Sequence, residues 1–274
     1  MIIPTRFESA IVFVTCVAMC STALSEAPRV SHAATPEAAG MVSIQSLVPD
    51  IRLDVRYAGK NNFVGERVRG YEAEKCYLLR PVAEALARVE RALREQEPSP
   101  AAPLTTSPES GRGEAMQHDA SPAASASREA DASLRLKIFD CYRPVRAVMH
   151  FVEWAEDTDD QATKRRFYPN LDKSALLGNY ISPTSGHSRG ATVDLTLMRC
   201  DSECLELDMG TEFDFFDVRA HTDSPHITAE QRENRQRLRE AMEAAGFQNY
   251  SMEWWHYTFR PEPSEDVAYD FLVK

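Results

Sequence analysis

Short segments in which apolar and polar residues alternate recur along the chain, and helical segments lie between them. Alternation with a period of two is typical of strands that bury one face. The segments with this pattern are residues 51–55, 134–138, 191–197 and 255–260. They do not follow the regular strand–helix–strand spacing of a doubly wound sheet. The pattern therefore predicts an α+β fold, a single domain with a mixed or antiparallel sheet flanked by helices.

Three segments between these strands carry helix signals. The first begins at Pro81 and the second at Pro144, and both continue with apolar residues at helical spacing. Proline is favoured in the first turn of a helix because its missing N–H would have no partner there. The third begins at Thr228, where Gln231 completes a capping box, and Gly246 is a natural position for its end. These are the helices expected to flank the sheet.

The first residues of the chain have the features of an export signal. Arg6 precedes an apolar run over residues 10–24, and small and polar residues follow as far as Ala27. A basic start, an apolar centre and a small-residue exit are typical of a secretory signal peptide. A short buried helix is the alternative interpretation. We expect residues 1–27 to be a signal peptide and the mature protein, residues 28–274, to be periplasmic or secreted.

Charge and hydropathy argue against two classes of partner. The chain has 31 Lys and Arg against 42 Asp and Glu, a formal net charge of −11 at pH 7. A nucleic-acid-binding protein would be expected to carry a basic surface. No apolar run reaches the ~18–20 residues that a membrane-spanning helix needs. We therefore expect neither nucleic-acid binding nor stable membrane insertion, and the oligomeric state stays open.

Four cysteines follow the predicted signal peptide: Cys76, Cys141, Cys200 and Cys204. An even number of cysteines in an oxidising compartment suggests two disulfides, for which three connectivities exist. Cys200 and Cys204 are close enough in sequence to bridge within one turn, which leaves Cys76–Cys141 as the default second pair. A structural zinc on Cys200 and Cys204 would need two more soft ligands, and none is nearby in the sequence.

Residues 98–133 differ in composition from the rest of the chain. They contain nine Ala, seven Ser and five Pro, and they lack Val, Ile, Phe, Tyr and Trp. Such a segment buries too little apolar area to offset the entropy lost on ordering. We predict a disordered insertion within one domain, because the segments on either side look like parts of the same fold.

A potential metal site lies on the polar faces of two predicted strands. In residues 191–197 Asp194 faces away from Val193 and Leu195, and in residues 255–260 His256 faces away from the aromatic residues. A carboxylate within an apolar strand needs a partner. His187 lies on the glycine-flanked turn just before Asp194's strand. Two imidazoles and one carboxylate with an open fourth position are a zinc set, so we expect Zn²⁺ at the polar face of the sheet.

Glu253 lies three residues before His256 and is the candidate proton acceptor for a zinc-activated water. The alternative is that each of these residues is structural, since a single His, Asp or Glu on a strand usually is. A serine hydrolase is a further alternative, because Gly186-His-Ser188-Arg-Gly190 matches the G-x-S-x-G pattern. That pattern requires a strand before the serine and a helix after it. Here a strand-like segment follows, which argues against this interpretation.

Taken together, the motifs resemble the zinc D-alanyl-D-alanine dipeptidases associated with vancomycin resistance. The resemblance covers roughly residues 45–97 and 134–262 and involves several motifs in the same order. They are Asp54-Val-Arg-Tyr57-Ala, Asn62-Phe63-x-Gly65, Asp140-Cys-Tyr-Arg143-Pro144, Ser185-Gly-His187-Ser-Arg-Gly190-Ala-Thr-Val-Asp194, Phe213-Asp214-Phe215 and Glu253-Trp-Trp-His256.

The resemblance implies a role for seven residues. It assigns one Zn²⁺ per chain to His187, Asp194 and His256 and makes Glu253 the general base and acid. Arg143 matches the arginine that stabilises the transition state. A guanidinium suits this role because its N–H groups are donors in fixed directions toward an oxyanion. Ser185 and Asp214 match positions that hold the substrate, the aspartate through the free ammonium group.

The resemblance implies a metallopeptidase that hydrolyses D-alanyl-D-alanine to two D-alanines. The predicted export signal argues against a role in vancomycin resistance, because the dipeptide pool for wall synthesis is cytoplasmic. It favours turnover or scavenging of peptidoglycan dipeptide instead. One alternative is a zinc D,D-carboxypeptidase that acts on longer cell-wall peptides. Another is a wall-binding module without catalysis, but such a module would not need Glu253 as a base that activates water.

Overall fold

The structure is a computed structural model that describes residues 28–95 and 133–274. Its strands are β1 (Arg29–Val30), β2 (Met41–Ser43), β3 (Arg52–Leu53), β4 (Tyr77–Leu79), β5 (Ser133–Asp140), β6 (Thr192–Cys200), β7 (Cys204–Glu206), β8 (Phe247–Asn249), β9 (His256–Phe259) and β10 (Val267–Ala268). Its α-helices are α1 (Arg80–Glu95), α2 (Val145–Glu156), α3 (Lys164–Phe167) and α4 (Ala229–Glu243). Two predicted segments lie outside the described residues: the signal peptide, 1–27, and the insertion from 98 to 132. Ser133, the last residue assigned to that insertion, begins β5.

The main sheet has six strands in the order β3–β5–β6–β9–β8, and β7 pairs with the far end of β6. β3 and β5 are parallel, whereas the other pairs are antiparallel. Two small sheets, β1–β10 and β2–β4, lie beside it. The predicted α+β fold with a mixed sheet is therefore confirmed. Among the described residues, no helix is both long enough and apolar enough to cross a bilayer.

One face of β6 belongs to the hydrophobic core. Val193, Leu195 and Leu197 are fully buried in a cluster that includes the apolar side of α1. α1 lies against β5, and α4 lies against β8 and α1. Both helices begin where the sequence predicts: Pro81 is in the first turn of α1, and Thr228 and Gln231 form the capping box of α4.

The other face of β6 is polar and also buried. Thr192, Asp194 and Thr196 alternate with the core residues and are at most 1% exposed. The Thr192 hydroxyl lies 3.0 Å from the hydroxyl of Thr258 on β9. A buried polar face is stable only when its groups find partners. This face carries the candidate site.

The edge strand at residues 51–55 is shorter than its alternating pattern predicts. Only Arg52 and Leu53 pair with β5, and the chain then enters a single turn of 3₁₀ helix at Arg56–Ala58. The period-two pattern continues through this turn, so it could not mark the end of the strand. The turn brings Tyr57 to the polar face of the sheet, where it lines a cavity.

Two disulfides join the four described cysteines. Cys76 bonds to Cys141 with their Cα atoms 5.2 Å apart, and Cys200 bonds to Cys204 with a Cα separation of 4.0 Å. Both cysteines of the first pair are at most 1% exposed. The first bond joins the segment before β4 to the segment after β5. The second spans the tip of the β6–β7 hairpin.

Candidate metal centre and cavity

The sheet register and one tight turn bring three potential metal ligands together. Asp194 on β6 is the direct cross-strand partner of His256 on β9. His187 comes from a 3₁₀ turn, Gly186–Arg189, that ends at Gly190 with φ of +72°. A side chain at position 190 would be strained at this φ, and its Cβ would collide with Met41. Glycine therefore lets the chain pass from the turn directly into β6.

The three side chains converge on one point. Asp194 Oδ1 lies 3.0 Å from His256 Nδ1, and Asp194 Oδ2 lies 3.3 Å from His187 Nε2. The two imidazole nitrogens, His187 Nε2 and His256 Nδ1, are 3.3 Å apart. Donors bound tetrahedrally at 2.0–2.1 Å from zinc would be about 3.3 Å from one another. The two imidazole nitrogens have this spacing, and with one donor atom from each residue all three donors lie within 4.8 Å of one another, so the set suits a tetrahedral ion with one position left for another ligand.

The hydrogen bonding of His187 leaves its Nε2 available as a metal ligand. Its Nδ1 lies 2.6 Å from the backbone carbonyl of Cys141, which can only accept, so Nδ1 carries a proton. Burial, opposed by Asp194, holds the pKa of His187 below its ordinary value and favours the neutral ring. The neutral ring then presents the lone pair of Nε2 to a carboxylate oxygen of Asp194. A cation between the two atoms would satisfy both lone pairs.

Asp194 is charged in this environment. Burial alone would raise the pKa of Asp194, but His187 and His256 outweigh it and hold the pKa below its ordinary value, because an imidazole is protonated at the low pH where a carboxyl group titrates. A metal site requires deprotonated carboxylate and neutral imidazole. The donor set, one carboxylate and two imidazoles, is one that zinc accepts. These residues therefore fit a zinc ion.

Arg143 lies directly beside this set. Its Nε donates to Asp140 Oδ2 at 2.9 Å, and its Nη2 donates to Asp194 Oδ2 at 3.3 Å. The guanidinium lies over the rings of Tyr57 and Phe151, about 5 Å from each centroid. It is thus held in place from several sides while it lines the cavity. An anionic group in that cavity would meet guanidinium N–H groups that are already oriented.

Glu253 faces the same cavity from the turn before β9. Its Oε2 lies 3.6 Å from His256 Nδ1, and the residue is 8% exposed. Burial, with a contribution from the negative charge of Asp194, raises the pKa of Glu253 to about 8. A carboxyl group with such a pKa exchanges protons near neutral pH. That is the property required of a general base that later acts as an acid.

The cavity between these groups is small, at about 230 Å³. Pockets for drug-sized ligands usually measure about 300–1,000 Å³. Arg143 and two of the three potential ligands, Asp194 and His256, line it, as do residues 178–182 and 184–186. Its aromatic walls are Tyr57, Phe63, Phe151, Tyr180, Phe216, Tyr250 and Trp255. Such a space suits a ligand of one or two small residues.

Asp214 and Ser185 both line this cavity. Asp214 has φ of +61°, and its Oδ1 accepts a 3.0 Å hydrogen bond from the Tyr57 hydroxyl. Its Oδ2 is buried without a partner among the described residues. Burial and the charge of Asp194 raise the pKa of Asp214 well above its ordinary value, and a cationic ligand group would reverse this effect. Ser185 caps the turn of His187, with its Oγ accepting from the His187 amide at 3.3 Å.

Sequence reasoning assigned no role to Asp140, although this residue holds the arginine. Asp140 is fully buried and also accepts a 2.7 Å hydrogen bond from Tyr71. The sequence could have indicated this pairing, because Asp140 ends an apolar strand and lies three residues before Arg143. Ser188, the serine of the G-x-S-x-G pattern, is 2% exposed, does not line the cavity and precedes a strand. The structure therefore gives no support to a serine hydrolase.

Comparison with known proteins identifies relatives along nearly the whole chain. A family model described as D-ala-D-ala dipeptidase matches residues 115–274. A D-alanyl-D-alanine dipeptidase of Enterococcus faecium is 34% identical over 236 residues, which cover 86% of this chain and 98% of the relative. One from Streptomyces coelicolor is 34% identical, covering 84% and 96%, and one from Escherichia coli is 26% identical, covering 79% and 83%.

Proposed function

Because the chain belongs to the D-alanyl-D-alanine dipeptidase family, we propose that it is a zinc metallopeptidase that hydrolyses D-alanyl-D-alanine to two D-alanines. The observation that carries this proposal is the convergence of His187, Asp194 and His256, whose donor atoms lie within 4.8 Å of one another, while Glu253 and Arg143 line the small cavity beside them. A Zn²⁺ ion held by these three residues would supply Lewis acidity, which polarises a carbonyl and lowers the pKa of water.

Glu253 moves the proton in this mechanism. Its carboxylate accepts a proton from the attacking water and then donates it to the nitrogen of the leaving D-alanine. Burial raises the pKa of Glu253 to about 8 in the zinc-free chain, and a Zn²⁺ ion bound beside it would lower that pKa and favour the carboxylate that accepts the proton. Glu253 Oε2 is 3.6 Å from a ligand nitrogen of His256, so the carboxylate stands beside the metal set.

Arg143 stabilises the negative charge that develops on the attacked carbonyl. Its guanidinium is oriented by Asp140 and Asp194 before substrate arrives. Donors that need no reorganisation during the reaction are worth most in a site that excludes water. Asp140 is therefore a positioning residue for Arg143.

Asp214 and Ser185 orient the dipeptide. Asp214 lines the cavity and its Oδ2 is buried without a partner among the described residues, and the free ammonium of a dipeptide is a matching cation. Ser185 adds a hydroxyl to the lining of the cavity. A blocked or extended amino terminus would leave Asp214 unpaired and would need more space than the cavity has.

The same reasoning favours the dipeptide over longer cell-wall peptides. We propose further that the enzyme is exported to the periplasm or medium and acts there in turnover or scavenging of peptidoglycan dipeptide. The apolar run at residues 10–24 and the two disulfides support export, since disulfides persist in oxidising compartments.

The test compares substrates with purified residues 28–274 loaded with zinc. D-alanine release is measured from D-Ala-D-Ala, from N-acetyl-D-Ala-D-Ala and from a pentapeptide ending in D-Ala-D-Ala. We expect rapid release from the free dipeptide alone. Equal or faster release from the pentapeptide would identify a D,D-carboxypeptidase, and no release from any substrate would refute both activities.

Glu253→Gln is the matched variant for this assay. The amide keeps the size of the side chain but accepts no proton, so turnover should be lost while zinc content stays at the wild-type level. Loss of zinc from this variant would make Glu253 a ligand and would overturn its role as the base.

A further inference from the structure

We propose that the Cys76–Cys141 disulfide is a positioning element of the metal centre. It fixes the position of the Cys141 carbonyl, which orients the ring of His187. It also links residues 141–143 covalently to the segment before β4, and both of these parts of the chain hydrogen-bond to the turn that carries His187. The inference rests on the proposed zinc site. In it, the two cysteines support the site through their covalent bond and are not themselves metal ligands.

The first contact is between Cys141 and the imidazole. The Cys141 carbonyl accepts from His187 Nδ1 at 2.6 Å, which leaves Nε2 to face Asp194 and His256. Partners of this kind set the tautomer and the orientation of a ligand imidazole. Because the partner here is a backbone carbonyl, its position depends on where the chain is held at residue 141.

The second contact lies two residues further on. The Arg143 amide donates to the His187 carbonyl at 3.3 Å, so residues 141–143 contact both the side chain and the backbone of this ligand. The same short segment carries the Arg143 guanidinium into the cavity. A shift of the segment would therefore move a ligand and the arginine together.

The disulfide attaches this segment to β4. Cys76 immediately precedes β4, and the Tyr142 amide donates to the Tyr77 carbonyl at 3.0 Å beside the bond. β4 in turn reaches the other end of the His187 turn, where the Leu79 amide donates to the Gly190 carbonyl at 2.9 Å. The turn from His187 to Gly190 is thus held at one end by Cys141 and at the other by β4, and the disulfide joins the two supports.

The second disulfide provides an internal control. Cys200–Cys204 spans the tip of the β6–β7 hairpin, six residues along β6 from Asp194, and neither cysteine lines the cavity. Its removal breaks a covalent bond without touching the support of His187. Any change in zinc affinity that appears on removal of either disulfide reflects the loss of a cross-link in general.

The experiment measures the zinc dissociation constant of folded protein by competition with a chromogenic chelator. The Cys76→Ala/Cys141→Ala pair should bind zinc about 10–100-fold more weakly than wild type, the usual effect of losing support behind a ligand. The Cys200→Ala/Cys204→Ala pair should stay within about threefold of wild type. A second pair, Cys76→Val/Cys141→Ala, fills more of the space left by the sulfur atoms and serves if the first folds poorly.

A spectroscopic readout separates positioning from general stability. The visible absorption spectrum of the Co²⁺-substituted protein reports the ligand geometry, and the Nδ1–H resonance of His187 in proton NMR reports its bond to Cys141. Both should change in the Cys76/Cys141 pairs and be preserved in the Cys200/Cys204 pair. Unchanged affinity and spectra in a folded Cys76/Cys141 pair would overturn the inference. Failure of wild-type protein to bind zinc would instead refute the zinc site itself.

Discussion

Glu253→Gln should make the stability of the zinc-free protein less dependent on pH. Burial raises the pKa of Glu253 from an ordinary value of 4.5 to about 8. Between these pH values the folded state keeps a proton on Glu253 that the unfolded state has lost. The folded state therefore binds more protons, and the free energy of unfolding falls as the pH rises. Glutamine does not titrate, so the variant escapes this part of the fall.

The magnitude follows from the size of that pKa difference. One pKa unit corresponds to 1.36 kcal/mol, so the variant should become more stable relative to wild type by about 3 kcal/mol between pH 4.5 and 7 and by about 4 kcal/mol between pH 4.5 and 8. His187 and Asp214 titrate in both proteins, so their direct contributions largely cancel in the difference. Only the part that belongs to Glu253 remains.

The assay is urea unfolding of zinc-free wild type and variant, followed by circular dichroism at several pH values from 5 to 8.5. Linear extrapolation gives the free energy of unfolding of each protein in water. Glu240→Gln, a change at an exposed residue of α4, controls for the substitution itself. A difference that stays constant within about 1 kcal/mol over this range would refute the account of Glu253 as a buried carboxyl group with a raised pKa.

Three further perturbations test other parts of the site and chain. In steady-state kinetics, Arg143→Ala should lower kcat by about 10²–10³-fold with less effect on KM, and Arg143→Lys should restore activity only in part. A rise in KM alone would instead mean that the arginine binds the substrate in its ground state. His187→Ala, Asp194→Ala and His256→Ala should each lose zinc by metal analysis, and full metal in all three would contradict the ligand set. Deletion of residues 100–131 with a short flexible linker should change the melting temperature little, because loop length affects stability only logarithmically, and a large fall would show that the segment packs on the core.

The alternating patterns located the metal set because they determine which side chains share a face. Asp194 and His256 could be assigned to polar faces from period-two spacing alone, and β6 and β9 then pair them directly. The sequence placed His187 only on the glycine-flanked turn before Asp194's strand, and the direction of its side chain depends on a turn that ends at Gly190 with φ of +72°. The α4 helix was predictable because its capping box is local in sequence.

What the sequence could not reveal depends on contacts between distant segments. The Cys141 carbonyl is a backbone atom, so no residue type signals that it supports His187. The bond from Tyr71 to Asp140 joins residues 69 positions apart, and only the folded chain brings them together. The raised pKa of Glu253 likewise follows from burial and from its approach to Asp194, neither of which is a property of the local sequence.

The most direct test of the central claim is D-alanine release from D-Ala-D-Ala by residues 28–274, measured together with zinc content. The protein should carry about one zinc per chain, lose activity when a chelator removes the metal and recover it when zinc is returned in stoichiometric amount. Hydrolysis that continues at the full rate in zinc-free protein would contradict the claim. So would fully zinc-loaded protein that releases no D-alanine.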